Sequence, residues 1–528
     1  MTRQIDAGRL KKMVTDGDEL ALLDVREDGQ FGEGHMLFAV PMPYSHLEAR
    51  LAAQLPRRTI RTVLVDGGDG VAERAAARMT ALGYSDVSTL TGGIDAWAAA
   101  GYELFKGVNV PCKAFGEVVE HAAHTPSISA DELHAMFERQ ADLVVVDGRT
   151  PEEFHRMNIP NGRSVPNAEL IYRIHDIAPS PDTTVVVNCA GRTRSIIGAQ
   201  TLINAGIPNK VVALRGGTMG WTLAGYALQR GATAALPEVS PGGVENARSL
   251  ADRMAETYEI KRIDLAMLDA WRQDGSRTLY VLDVRGEDEY VAGHLPGSLH
   301  APGGQLVQAT DTWVAAHGAR LVLVDDSEVR AITTAHWLVQ MGWDVSVLKG
   351  GIGNAATETG MPPRRVLGID AAPVETITPQ ALATALQQGT ALAVDVDHSM
   401  DYRQRHLPGA LWAIRPRLTD LLPNLPAGKQ VVLYSEHETR ARLAAIDLRE
   451  LTDSPIAILE GGRQAWAAAD LPLEASPQTP SDAECIDFLF FVHDRHQGNQ
   501  QAMRDYLNWE EALPAQIAAD GDARFEVR

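Results

Sequence analysis

One cysteine stands where the chain could do chemistry. The β-branched run Thr184–Asn188 is typical of a buried strand, Cys189 follows it, and an apolar helical pattern covers 196–205. A tight loop between a strand and a helix N-terminus turns several backbone N–H groups toward one point, which suits an anion. Arg192 and Arg194 add positive charge, so we expect a lowered pKa and a nucleophilic thiolate near neutral pH. The alternative is a core cysteine that merely ends a strand.

The elements that would position this cysteine recur four times in the same order. Each copy has an apolar strand ending in an acid, an aromatic residue with a polar one four positions later, a second strand with a loop, and a strand closing on Gly-Gly. The strand-ending acids are Asp24, Asp147, Asp283 and Asp395. The aromatic–polar pairs are Phe31/His35, Phe154/Asn158, Tyr290/His294 and Tyr402/His406. The residues that begin the loop are Asp66, Cys189, Asp325 and Ser435.

These markers stay in phase. The acids and the loop-starting residues both advance by 123 positions from the first copy to the second (24 to 147, 66 to 189) and by 136 to the third (147 to 283, 189 to 325). Copies of this length are domains, so the chain is a domain array. Short apolar runs alternate with helical patterns, which predicts an α/β fold with a central parallel sheet flanked by helices in each copy. Ligands in such folds bind at the carboxyl ends of strands, where Cys189 lies.

Composition suggests where the copies begin and end. We predict domains at 1–107, 126–235, 259–370 and 374–476, followed by a tail at 477–528. The stretch 236–246, with two Pro and two Gly, is typical of a linker. The tail contains Ile486, Phe488, Leu489, Phe490 and Phe491, a run too apolar to remain in water, so it is expected to dock on a domain.

Bulk properties exclude several classes. A formal charge of −21 opposes binding to nucleic acid or to an anionic membrane, and no stretch approaches 18 apolar residues. The cysteines Cys112, Cys189 and Cys485 are too few and too scattered for a disulfide framework or a metal cluster, so we expect no cofactor. No signal peptide is visible at the N-terminus. A cytoplasmic location is the resulting expectation, and the oligomeric state stays open.

The phased markers together resemble the rhodanese (thiosulfate sulfurtransferase) superfamily, in a four-domain tandem arrangement over residues 1–476. The resemblance rests on the Asp-x-Arg strand ends, the His-x-Pro-Gly turns, the loop Cys189–Arg194 and the Gly-Gly-x-x-x-Trp endings. It implies a ping-pong reaction in which Cys189 takes a sulfane sulfur as a persulfide and passes it to cyanide or a thiol. The implied substrate-binding residues are those of the loop: Ala190, Gly191, Arg192, Thr193 and Arg194.

The copies differ in the loop. Only the second has a cysteine there; Asp66, Asp325 and Ser435 replace it elsewhere, so the resemblance implies three inactive domains. Four residues separate Cys189 from Arg194, as in the family's sulfurtransferases, whereas its phosphatase-like relatives enclose five. Basic loop residues resemble those of enzymes that use the thiosulfate dianion, so Arg192 is expected to favour that donor. The alternative for Arg192 is a solvated surface charge.

Some readings remain open. The chain could be a scaffold or persulfide carrier with little turnover. Cys112 could relay sulfur from Cys189, or be inert. The Asp-x-Arg pairs and the turn histidines are expected to hold the fold and not to react. Because pockets form where domains meet, we expect another domain, the first above all, to wall the mouth of the Cys189 loop.

Overall fold

The computed structural model describes residues 3–528 except 234, 237, 354, 356–357, 372 and 426–427. It contains four sheets of five strands each. The strands of the first are β1 (Arg3–Ile5), β2 (Ala21–Asp24), β3 (Val40–Pro41), β4 (Thr62–Val65) and β5 (Val87–Leu90). Its helices are α1 (Ala7–Thr15), α2 (Asp28–Glu33), α3 (Leu47–Gln54), α4 (Val71–Ala81) and α5 (Gly93–Ala99). Helix α6 (Val110–Ala123) follows this domain and precedes the second sheet.

The second domain contains the cysteine loop. Its strands are β6 (Ser127–Ile128), β7 (Leu143–Asp147), β8 (Arg163–Ser164), β9 (Thr184–Asn188) and β10 (Val211–Leu214). Its helices are α7 (Ala130–Glu138), α8 (Pro151–Arg156), α9 (Leu170–Ile177), α10 (Thr193–Ala205) and α11 (Gly217–Leu223). Helix α12 (Pro241–Thr257) follows.

The third and fourth domains repeat the pattern. The third has β11 (Lys261–Ile263), α13 (Leu265–Gln273), β12 (Leu279–Asp283), α14 (Glu287–Ala292), β13 (Leu299–His300), α15 (Gly303–Gln308), β14 (Arg320–Val324), α16 (Val329–Gln340) and β15 (Asp344–Leu348). The fourth has β16 (Glu375–Ile377), α17 (Pro379–Gln387), β17 (Ala391–Asp395), α18 (Ser399–Gln404), β18 (Leu411–Trp412), β19 (Gln430–Tyr434), α19 (Glu438–Leu448), β20 (Ile456–Leu459) and α20 (Gly462–Ala468). The tail forms α21 (Phe490–His493) and α22 (Gln500–Asp520).

All four sheets share one topology. The first runs β1-β5-β4-β2-β3, and the other three have the same order shifted by five, ten and fifteen strand numbers. The pairing is parallel, as between β7 and β9, where Val145 lies opposite Val186. Helices connect the parallel strands, as such connections require. The prediction of four tandem α/β domains with parallel sheets is therefore confirmed.

The core of the second domain explains why its strands are apolar runs. Val145, Val186 and Val212 from three neighbouring strands pack with Leu133 of α7 and Trp221 of α11. Parallel strands covered on both faces bury every side chain, so alternation disappears. The strand that ends at Asn188 is thereby fixed in a rigid sheet, and the loop after it starts from a defined position.

By residue contacts the chain divides into two compact units. One consists of Met1–Lys11, Leu22–Gly107 and Arg364–Phe490, and it holds the first and fourth sheets. The other consists of Lys12–Ala21, Val108–Pro363 and Phe491–Arg528, and it holds the second and third sheets with α22. The cysteine loop belongs to this second unit.

Two predictions about connecting segments have different outcomes. The stretch 236–246 is not a plain linker, because α12 begins at Pro241, where Ser240 Oγ accepts the N–H of Gly243 at 3.0 Å. Pro is common in the first turn of a helix, and Pro241 therefore marks the start of α12 and not a linker. Residue 237 of that stretch lies outside the described residues. The apolar tail run does dock: Ile486 and Leu489 are buried, and Ile486 O accepts the N–H of Gln30 at 3.1 Å.

Among the described residues no helix combines the length and apolar character that crossing a bilayer requires.

Candidate active site

The cysteine loop lies at the carboxyl end of β9, as predicted. Asn188 is the last strand residue, and its Nδ2 donates to Asp147 Oδ2 at 2.8 Å. Cys189 comes next, and α10 begins at Thr193. Ala190, Gly191 and Arg192 therefore form the turn between strand and helix, with Thr193 and Arg194 in the first turn of α10.

The backbone that follows the Gly216-Gly217 pair hydrogen-bonds to carbonyl groups of this loop. Thr218 N–H donates to Cys189 O at 2.8 Å, and Met219 N–H donates to Ala190 O at 3.1 Å. Gly217 has φ +54°, and a Cβ there would overlap the carbonyl oxygen of Cys189. The other copies have the same arrangement, with Gly93, Gly351 and Gly462 against the carbonyls of Asp66, Asp325 and Ser435. Close approach of two backbone segments explains why this position is glycine in all four domains.

The Asp-x-Arg pairs hold turns, as expected. Arg149 Nε and Nη2 donate to the two carboxylate oxygens of Asp147 at 2.8 Å each, and Nη2 also donates to Met157 O at 2.6 Å. Both side chains are buried. The fourth domain has Asp397 in place of the arginine. There Arg463 lies 3.4 Å from Asp395 and donates to Arg405 O at 3.1 Å, so the first turn of α20 supplies the guanidinium.

The turn histidines also serve the fold. His294 Nδ1 lies 2.9 Å from Tyr290 O, and the His294 ring stacks on that of Tyr290. The backbones of His294 and Glu358 form an isolated antiparallel bridge, and the corresponding residues of the other domains form one too. These contacts close each domain where its last segment returns to the sheet.

Cys189 is buried, with 2% of its surface exposed. Its thiol donates to Ser195 Oγ at 3.5 Å. Burial raises the pKa of this thiol; Arg194 and Ser195 oppose the rise, and the charge of Glu510 adds to it. The prediction of a lowered pKa is therefore wrong for this structure, because the sequence does not reveal that the loop is covered.

Arg194 closes the loop through one ion pair. Its two terminal nitrogens donate to the two oxygens of Glu153 at 2.7 and 2.8 Å. Glu153 is held by a capping box with Thr150 at the start of α8. The third domain repeats this pair with Arg330 and Glu289 at 2.7 and 3.0 Å. In both domains the acid that holds the loop arginine lies six residues after the aspartate that ends the strand, Glu153 after Asp147 and Glu289 after Asp283.

Arg192 does not project into solvent: it is 8% exposed. Its guanidinium donates to both oxygens of Glu117 at 2.8 Å, to Glu120 at 2.5 Å and to Glu511 at 2.8 Å. Glu117 and Glu120 lie on α6 and Glu511 on α22. The reading as a solvated surface charge is therefore wrong, and the side chain that was expected to meet the donor instead ties the loop to two helices outside the repeats.

These two helices cover the loop. Gly116 of α6 lies so close to Thr193 that an added Cβ would be 2.8 Å from its methyl group. From α22, Leu507 and Glu510 approach Gly191, and Met503 and Tyr506 pack on Met219. Within the unit that contains the loop, the covering contacts come from the connecting helix and the tail. That the first domain walls the loop stays a prediction. The sequence indicates that the tail docks, but it does not show that acids of α6 and α22 meet the loop. On α6 the spacing of Glu117 and Glu120 places both on one helix face, which is a signal for a cationic partner.

The loops of the first and third domains are filled by their own carboxylates. Asp325 accepts the backbone N–H groups of Ser327, Glu328 and Arg330 at 3.1, 2.6 and 2.9 Å. Asp66 likewise accepts those of Gly68 and Ala72 at 2.9 and 3.0 Å. In the second domain, by contrast, the N–H groups of residues 190–194 donate to no acceptor among the described residues. Donors that an aspartate consumes elsewhere are thus left to an anion at Cys189.

Burial raises the pKa of both other cysteines, Cys112 and Cys485. Cys112 is buried in α6 and lines a cavity of about 20 Å³ with Thr193 and Arg194. Burial raises its pKa to about 12, which makes it a poor nucleophile and disfavours the relay. Cys485 is a buried free thiol of the other unit. The described part of the chain contains no group of three or more His, Cys, Asp or Glu that could hold a metal ion.

Comparison with known proteins bears on this site directly. A model of the Rhodanese-like domain family matches residues 6–100, 129–224, 264–357 and 378–469. A crystal structure of thiosulfate sulfurtransferase from Pseudomonas aeruginosa is 44% identical, with a TM-score of 0.95, and the match covers 99% of each chain. An uncharacterized protein of Synechocystis sp. is 31% identical over 105 residues, which are 20% of this chain and 59% of that protein. The four domain matches span most of the sequence, and the chain therefore belongs to the rhodanese-like family.

Proposed function

We propose that this protein is a sulfurtransferase that moves a sulfane sulfur through a persulfide on Cys189. The observation that carries the proposal is the contrast between loops. Cys189 begins a loop whose N–H groups donate to no acceptor among the described residues, whereas the carboxylates of Asp66 and Asp325 accept from the equivalent loops. The near full-length likeness to a thiosulfate sulfurtransferase supports the same chemistry.

The reaction has two halves. In the first, the Cys189 thiolate attacks the sulfane sulfur of thiosulfate, the S–S bond breaks, and sulfite leaves with its electron pair. In the second, cyanide attacks the outer sulfur of the persulfide, which gives thiocyanate and restores the thiolate; a thiol acceptor would give a new persulfide in the same way. Each half is a nucleophilic displacement at sulfur and needs no cofactor.

The loop residues have distinct roles in this proposal. The N–H groups of Ala190, Gly191, Arg192, Thr193 and Arg194 stabilise the negative charge of the thiolate, of the bound donor and of the persulfide, because the N-terminus of α10 favours anions. The Arg194 side chain, held by Glu153, lowers the cost of the thiolate within the loop. The Arg192 side chain holds the loop in place and does not touch the donor.

A steady-state assay of the full chain with thiosulfate and cyanide tests the proposal, with Cys189→Ser as its control. We expect repeated turnover that the serine variant loses almost completely, since a hydroxyl supplies almost no nucleophile at neutral pH. Activity of the serine variant above a few per cent would contradict it.

Burial of Cys189 under α22 favours a second candidate, a persulfide carrier that loads once and turns over poorly. In that case the chain would gain one sulfur from thiosulfate and yet release little thiocyanate in the steady state. The same assay therefore separates the two.

A further inference from the structure

A buried carboxylate from the tail faces the cysteine loop. Glu510 of α22 is 3% exposed, and its Oε1 lies 3.5 Å from Thr193 Oγ1. Its Oε2 lies 3.0 Å from the position that a Cβ of Gly191 would take, and it accepts no hydrogen bond from the described residues. A carboxylate oxygen without a partner is costly to bury, so its position against the loop calls for a functional reason.

The charges around Glu510 come from every element packed against it. Lys113 and Glu117 face it from α6, Arg192 from the loop, and Arg495 from the segment before α22. Lys113 is itself buried, donates to Val108 O at 2.5 Å and has the rings of Tyr506 and Trp509 4.8 to 5.2 Å away. Glu510 thus retains a countercharge on the side of α6, while its Oε2 is directed at the loop.

The carboxylate acts on whatever approaches Cys189. Burial raises the pKa of Glu510, and the charge of Lys113 opposes that rise. In its ionised form Glu510 repels an anion strongly, because little water is present in this site to screen the charge. The same charge contributes to the raised pKa of the Cys189 thiol. In the first and third domains the carboxylate that occupies the equivalent loop belongs to the loop itself, whereas in the second domain it belongs to α22 of the tail.

We propose that Glu510 is a specificity-determining residue of the Cys189 site, which disfavours anionic sulfur donors relative to neutral or cationic ones. The proposal rests on the sulfur-transfer function of Cys189. It means that doubly charged thiosulfate reacts less efficiently than the loop alone would permit.

Methanethiosulfonate reagents of matched size test this without sulfur transfer. The Cys189 thiolate attacks such a reagent, a mixed disulfide forms, and methanesulfinate leaves. The rates for the anionic sulfonatoethyl and the cationic trimethylammonioethyl reagents are measured on the full chain, by mass spectrometry of the Cys189 peptide. In Glu510→Gln we expect the anionic-to-cationic rate ratio to rise about tenfold, since one negative charge near the thiol is gone.

The adjacent acid provides the matched control. Glu511→Gln also removes a carboxylate of α22, but Glu511 contacts Arg192 and is half exposed. If loosening of α22 is all that matters, both variants will speed both reagents alike and leave the ratio unchanged, and the proposal is then overturned. An unchanged ratio in Glu510→Gln alone overturns it as well.

Two further measurements keep the test decisive. In the wild type the ratio should fall as pH rises and Glu510 ionises, because burial raises the pKa of Glu510; this measurement needs no variant, and a ratio that does not change with pH would count against Glu510. In the sulfur-transfer assay, Glu510→Gln should lower KM for thiosulfate more than it changes kcat. A shifted labelling ratio in a chain that does not turn over thiosulfate would support the role of Glu510 while refuting the proposed function.

Discussion

Replacing Arg192 with alanine should destabilise the cover of the active site and lower activity with every donor to the same extent. Arg192 makes four hydrogen bonds to three carboxylates. The decisive partner is Glu117, which is fully buried and bound through both oxygens. Arg192→Ala would leave the Glu117 carboxylate buried without a cation, which lowers the stability of this region by about 3–5 kcal/mol. The contact to Glu511, which is half exposed, adds only about 0–1 kcal/mol.

Hydrogen exchange with mass spectrometry measures the local effect. The amides of α6 and α22 should exchange about 100-fold faster in Arg192→Ala, which corresponds to roughly 3 kcal/mol of lost protection. Arg156→Ala, which removes an exposed arginine of the same domain, serves as the control and should leave both helices protected. Activity should fall by the same factor for thiosulfate and for an uncharged donor. A loss confined to thiosulfate, with α6 and α22 still protected, would refute this reasoning and restore Arg192 as a donor-binding side chain.

Three other substitutions test separate parts of the account. Asp325→Cys frees the N–H groups of the third loop but keeps Arg330, so slow persulfide formation on residue 325 is expected by mass spectrometry, limited by the nearby charge of Glu328; none at all would show that the freed donors are insufficient. Gly217→Ala should cost about 1–3 kcal/mol of unfolding free energy and much of the activity, because its Cβ overlaps Cys189 O. Its control Gly206→Ala, also at positive φ but in open space, should lose only stability; equal activity losses would contradict the seating role. Glu153→Gln removes the ion pair with Arg194, and with it a contribution to the free energy of unfolding that depends on pH. Burial opposes ionisation of Glu153, yet hydrogen bonding and charge from Arg194 lower its pKa from 4.5 to about 2, so the pair stabilises the fold fully above pH 4.5 and less as pH falls toward 2. The difference in urea unfolding between wild type and Glu153→Gln should shrink over that range, and a pH-independent difference would argue against the ion pair.

The sequence predicts the repeat, the sheet type and the location of the loop because those depend on local patterns. Apolar runs ending in Asp147 or Asp283 predict buried parallel strands, and the glycine pair ending in Gly217 marks a close backbone approach. Each marker lies within one domain, so the residues of a single copy suffice to predict the fold of that domain. The recurrence of the markers in four copies supports the prediction.

The electrostatics of the site could not be predicted in the same way. The sign of the pKa shift at Cys189 depends on burial by α22, which lies more than 300 residues further along the chain. The sequence does not show that Arg192 is paired, because its partners Glu117 and Glu511 belong to segments outside the repeat. In the fourth domain, Arg463 replaces a missing strand-end arginine from a remote position, which only the folded chain reveals.

We expect Cys189 to be the one cysteine of the chain that carries the sulfur. The most direct measurement is mass spectrometry of the full-length protein after treatment with thiosulfate and again after addition of cyanide, with the peptides of Cys112, Cys189 and Cys485 resolved separately. We expect one added sulfur atom, on the Cys189 peptide, which cyanide removes as thiocyanate. Sulfur on Cys112 or Cys485 in Cys189→Ser, or an unmodified Cys189 in protein that turns over thiosulfate, would contradict it.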